Sequence, residues 1–175
     1  MPGSLIKIDE EIVTSAVASV TLGGSDWDSS YDVYMVKFNN VVPDFDPIDL
    51  KMRVTESGTP NTTANYDRAS KLLRTNSTFV NSSATNETSW DLSTGIGTAT
   101  GEQANGVCYI FNANNSSEYT FMTKEITELN TTPELVGQQG GGVFTSVSSV
   151  NGVNIFFNSS KNIASGTFTL YGLKK

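Results

Sequence analysis

Val143-Phe144-Thr145-Ser146-Val147-Ser148-Ser149-Val150-Asn151-Gly152-Val153-Asn154-Ile155-Phe156-Phe157 is the stretch on which the fold reading turns. β-branched and aromatic residues lie on both sides of an Asn-Gly pair. Such residues favour a pleated backbone. Asn-Gly suits a type I′ turn, which needs positive φ at both central positions. The stretch therefore predicts a hairpin with strands over 143–150 and 153–157, and it sets an all-β expectation for the chain.

Working outward, strands are expected over 106–112 and 119–125, joined by the polar turn 113–117. Residues 130–142 read as a loop ending in Gly140-Gly141-Gly142. The closing strand is expected over 166–173. Earlier in the chain, 12–22 reads as one strand, with Gly23-Gly24-Ser25-Asp26 ending it. Residues 31–38 carry apolar side chains at both parities and predict a central strand. Leu50, Met52 and Val54 alternate with Lys51, Arg53 and Thr55, as in a strand with one buried face. Residues 66–75 suit either a short helix or an edge strand. Residues 76–106 are polar and Gly-rich, and read as a long functional loop or a loose hairpin with a short strand near 89–92. About eight short strands separated by turns predict an antiparallel β-sandwich of jelly-roll type, with a barrel as the competitor. No repeat or linker divides the chain, so 1–175 is expected to be a single domain.

Composition narrows function by exclusion. The chain has 175 residues, 37% hydrophobic and 17% charged, with a net charge of −7. That charge repels nucleic acid and anionic membranes, so neither is an expected partner. No stretch reaches membrane-spanning length. The N-terminus lacks a basic and apolar leader, which predicts maturation in a cytosol. The Asn-x-Ser/Thr triplets, at Asn61, Asn76, Asn81, Asn86, Asn114, Asn115, Asn130 and Asn158, then read as by-products of polar loops. The chain contains no histidine and a single cysteine, Cys108. Histidine triads, histidine–zinc sites and intrachain disulfides are therefore excluded, and Cys108 reads as a small buried hydrophobe. No catalytic residues are expected, and the chain is not expected to be an enzyme.

Two acidic loops could hold a hard cation such as Ca²⁺, which takes clustered oxygen ligands from loops. One carries Asp26, Asp28 and Asp32; the other carries Asp44, Asp46 and Asp49. The competing reading has each aspartate capping a turn. Trp27 and Trp90 are the candidate aromatic platforms for a host glycan or a partner, against the alternative of core packing. Leu5, Ile6 and Ile8 lie in an extended segment. Residues 1–13 could form an assembly arm that adds to a neighbour's sheet, or 4–13 could be the first strand of the chain's own sheet.

Some of these segments carry a resemblance. Ser4-Leu5-Ile6-Lys7-Ile8-Asp9-Glu10-Glu11, Ala18-Ser19-Val20-Thr21-Leu22, Ser29-Ser30-Tyr31-Asp32-Val33-Tyr34-Met35, Leu50-Lys51-Met52-Arg53-Val54 and the ending Ser165-Gly166-Thr167-Phe168-Thr169-Leu170-Tyr171-Gly172-Leu173 resemble small virion proteins of marine and cyanobacterial tailed phages. The resemblance implies a jelly-roll part on the exterior of a phage particle, made in the host cytoplasm. Its role would be capsid decoration or cement, or a tail-fibre or receptor-binding adhesin domain. It also implies partnership with other virion proteins, the major capsid protein first, and assembly as a homotrimer. No catalytic residue carries over.

Overall fold

The computed structural model describes residues 4–76 and 78–174. Strands are numbered along the chain. One antiparallel sheet has eight strands in the order β1 (Leu5–Val13), β13 (Ile163–Lys174), β3 (Tyr31–Pro43), β9 (Ala104–Phe111), β10 (Thr120–Leu129), β11 (Leu135–Phe144), β6 (Tyr66–Arg74) and β7 (Val80–Glu87). The second sheet orders β2 (Ser19–Gly23), β12 (Gly152–Phe157) and β4 (Leu50–Glu56). Two short strands, β5 (Thr59–Pro60) and β8 (Trp90–Asp91), share the remaining edge of β4. No α-helix occurs among the described residues.

The sheets form a β-sandwich, and alternation along the strands fills the space between them. Tyr34, Val36 and Phe38 of β3, Cys108 and Ile110 of β9, and Phe168 and Leu170 of β13 point inward from the large sheet. Leu50, Met52 and Val54 of β4, with Val153, Ile155 and Phe157 of β12, meet them from the small one. These side chains form one continuous core, and non-directional apolar burial is what holds the layers together.

The strands expected over 31–38, 50–55, 106–112, 119–125 and 166–173 are all present, and β3 lies inside the large sheet as expected. Residues 66–75 form a strand, with β7 outside it.

Five expectations are corrected. The described residues hold thirteen strands rather than about eight. The segment 12–22 is not one strand: β1 ends at Val13, and β2 starts at Ser19 in the other sheet. The run 130–142 is not a loop, because β11 passes through the three glycines. The polar segment 76–106 is not a long loop: it contains β7, the short strand expected near 89–92 is present as β8, and Leu92, Ser93 and Ile96 in it are buried.

The fifth is the hairpin over 143–157. β11 pairs with β10 and β6, whereas β12 pairs with β2 and β4. The chain between them crosses from one sheet to the other. Neither Asn151 nor Gly152 has positive φ. Asn151 instead ties three segments together. Its N–H donates to the Thr55 carbonyl (2.9 Å), and its carbonyl accepts from the Gly24 N–H (2.8 Å). Its side-chain oxygen accepts from the Gly58 N–H (3.1 Å) and the Thr55 hydroxyl (3.2 Å). A Cβ at Gly152 would lie 2.6 Å from the Leu22 carbonyl oxygen. The glycine serves close strand approach here, not turn geometry.

Candidate functional site

The acidic loops spend their carboxylates on backbone and amide donors. Asp28 accepts from the Ser30 N–H (2.8 Å). Asp44 accepts from both the N–H and the side-chain amide of Asn162 (2.8 and 2.7 Å). Asp46 accepts from the Thr98 N–H and hydroxyl (both 3.4 Å). Asp26 ends the 3-10 turn Gly24–Asp26, and Asp32 lies on β3. Among the described residues no group of three or more Asp, Glu, His or Cys side chains could hold a metal ion. The Ca²⁺ expectation gains no support from this geometry: Asp28 caps its own turn, whereas Asp44 and Asp46 accept from Asn162 and Thr98, far away in the chain. The donors from Ser30 and Asn162 hold the Asp28 and Asp44 carboxyls below their ordinary range.

The glycan-platform expectation is corrected. Trp27 is buried and stacks on Tyr34, with ring centroids 3.9 Å apart. Trp90 is fully buried, edge-on to Tyr66 at 5.1 Å. Neither indole presents a face to solvent, because each fills the core beneath a sheet. Leu5, Ile6 and Ile8 lie on β1, paired with β13 at the edge of the chain's own sheet. That is the second of the two readings of this segment. Residues 1–3 of the segment 1–13 lie outside the described residues.

Sequence reasoning did not single out a polar cluster inside the sandwich. β10 presents Lys124 and Glu128 on the same inward face as Met122 and Ile126. The Lys124 ammonium donates to the Asp91 and Leu92 carbonyls (both 2.8 Å) and to Gln138 Oε1 (3.0 Å). Gln138 Nε2 then donates to Glu128 Oε1 (3.0 Å), which also accepts from the Thr94 N–H (3.2 Å). Burial pushes the Glu128 carboxyl up to about 7, against the pull of Thr94 and Gln138. Burial likewise brings the Lys124 ammonium down to about 8, against the nearby Cys108, Asp91 and Glu128. Cys108, fully buried beside them, is raised by burial to about 12. Reactive thiols have lowered pKa values, so Cys108 is inert. Alternation placed Lys124 and Glu128 on one face, but Phe121 on the opposite face hid which side was inward.

Asp91 lies at the junction of the two sheets. Its carboxylate pairs with Lys51 of β4 and Arg68 of β6, both at 2.5 Å. Next to it, Trp90 packs under β11, where a Cβ at Gly142 would lie 2.5 Å from the indole Nε1. Gly142→Ala is therefore expected to cost about 1–3 kcal/mol through overpacking. A denaturation midpoint unchanged from wild type would contradict that packing. Taken together, the cluster clamps β8 and the following segment against β10, β11 and β6. It acts on stability and proton binding, and it is closed to a substrate.

The opposite face of the eight-stranded sheet is open. Cross-strand register lays out three rows of side chains on it. The first runs Leu5, Leu173, Val33, Phe111, Phe121, Val143, Asp67. The second runs Lys7, Tyr171, Met35, Tyr109, Thr123, Gly141, Ala69. The third runs Glu10, Thr169, Lys37, Val107, Glu125, Gln139, Lys71. Leu5, Tyr109, Phe121 and Leu173 are exposed there, between 39% and 46%. Contiguous exposed apolar surface of this kind marks interaction sites in soluble proteins. No helix among the described residues is long and apolar enough to cross a membrane.

No family model, curated protein or solved structure matches the chain.

Proposed function

We propose that the chain is a non-catalytic structural protein of a phage particle's exterior, a capsid decoration or cement protein built on an elaborated jelly roll. The observation that carries this reading is the strand order. β1-β13-β3-β9 and β2-β12-β4-β8 make two four-stranded sheets in which the first strands pair with the last. That order supports reading the sandwich as a double Greek-key jelly roll, a fold used by viral capsid and lectin domains. The strands β10, β11, β6 and β7 then widen one sheet beyond the eight-strand frame. The enclosed Lys124–Glu128 cluster and the absence of histidine support a role without catalysis. The tail-fibre alternative places its function in the segment 76–106 and around Trp27, and the burial of Trp27 and Trp90 takes away its aromatic platform.

The test is quantitative analysis of purified particles, with heads and tails separated. A fixed ratio of this chain to the major capsid protein in heads is expected. Finding it only on tails, or in no particle fraction, would overturn the proposal.

A further inference from the structure

We infer that the outer face of the eight-stranded sheet binds a second copy of this chain, face to face, about a two-fold axis running along β9. The inference does not depend on the virion reading, because it rests on the pattern of that face alone. A two-fold axis along β9 places β3 over the partner copy's β10, β13 over β11, and β1 over β6. In the charged row, Lys37 then faces Glu125 and Glu10 faces Lys71, while Val107 on the axis faces itself. Each charge meets its opposite, and each pair occurs twice. Moving the axis to β3 or β10 loses this match: an axis on β3 puts Glu10 over Glu125, and one on β10 puts Lys37 over Lys71. Self-complementarity is what an isologous interface requires.

Shape follows the same axis. In the second row Tyr171 faces Gly141, so a large ring meets the one position without a side chain. A Cβ at Gly141 would meet only the Met122 carbonyl, at 3.1 Å, so the glycine leaves open space on that face. That space is a groove bordered by Ala69, Phe121, Thr123 and Val143. In the first row Val33 faces Phe121 and Leu173 faces Val143, which buries apolar against apolar, while at the rim Leu5 faces Asp67. Lys37, Lys71 and Glu125 form no ion pair among the described residues, so their charges remain available to a partner, whereas Glu10 also pairs with Lys7 of its own chain (3.1 Å). Strands about 4.8 Å apart and rows about 6.8 Å apart make this face roughly 700 Å² per copy. A standard stable interface takes about 800 Å² per partner. Sheets packed in this way sit about 10 Å apart with strands roughly aligned.

Sedimentation equilibrium of the full chain reads the outcome directly. A species of twice the 18.8 kDa chain mass is expected. Glu125→Lys sets two lysines against each other across the interface, and is expected to weaken the dissociation constant by at least about tenfold. Adding Lys37→Glu to that variant reverses both charges, and is expected to restore the constant to within a few-fold of wild type. Circular dichroism checks that each exposed-site variant keeps its strand content. A monomer at all concentrations overturns the inference, as does a trimer. A dimer indifferent to Glu125→Lys, or one not rescued by the double variant, also overturns it.

Discussion

Trp90→Ala is expected to lower the free energy of unfolding by about 3–5 kcal/mol, through lost burial and the cavity left behind. The indole is fully buried and is the largest of the fully buried side chains. Its neighbours cannot collapse into the gap. Tyr66 meets it edge-on and is held by its own hydroxyl, which donates to the Asn61 carbonyl (2.8 Å). On the other side lies Gly142, which has no side chain to move. The loss also spreads. β8 is only Trp90–Asp91, and the carbonyls of Asp91 and Leu92 accept two of the three hydrogen bonds from Lys124. Loosening that strand leaves a buried ammonium short of acceptors, which is costly. Chemical denaturation followed by circular dichroism measures the effect as a lower midpoint with an unchanged slope. A loss below about 1 kcal/mol would mean that Trp90 does not hold the two sheets together.

Glu128→Gln is expected to abolish one limb of the protein's stability–pH curve. The folded-state carboxyl titrates near 7, against its ordinary 4.5. Between those values the folded chain holds a proton that the unfolded chain has lost. Stability contributed by this group is therefore complete below about 4.5 and lost as pH rises to about 7. The size of that limb is about 3 kcal/mol, from the displacement of the pKa. Lys124 acts with the opposite slope at higher pH. Its ammonium, ordinarily near 10.5, titrates near 8 when folded, so its contribution returns as pH rises from about 8 to about 10.5. The cluster is thus least favourable near neutral pH. Glutamine keeps an oxygen to accept from Thr94 and Gln138 but carries no charge to desolvate. At pH 7.5 the variant should be more stable than wild type, and at pH 4.5 nearly equal to it. Urea denaturation across that range decides the matter. Parallel curves for the two proteins would show that Glu128 does not titrate as its burial requires.

Some of the site could be read in the one-dimensional pattern. The alternation Leu50, Met52, Val54 needed only a strand with one apolar face, and these side chains are buried as that pattern requires. The acidic loops allowed two readings, and hydrogen bonding to Ser30, Asn162 and Thr98 selects the turn acceptors. Trp90 could not be placed, since an aromatic residue in a polar stretch suits a surface platform as well as a core. Its burial depends on β8 crossing to β4 and on the glycine it meets at position 142. The glycines misled for a related reason. Gly140–Gly142 look like a chain break until β6 and Trp90 are brought against Gly140 and Gly142, where a Cβ would collide.

The amino-acid sequence alone therefore determined the all-β character, the main strands and the missing histidine chemistry, because strand periodicity and residue inventory are local properties. Only the tertiary structure decided that Asn151-Gly152 joins two sheets instead of turning a hairpin. It alone decided that Trp27 and Trp90 are core, and that Lys124 and Glu128 share a buried network. It alone set Glu10, Lys37, Glu125 and Lys71 in one row. Each of these depends on contacts between residues far apart in the chain, and pairing register, which no local pattern contains, brings them together.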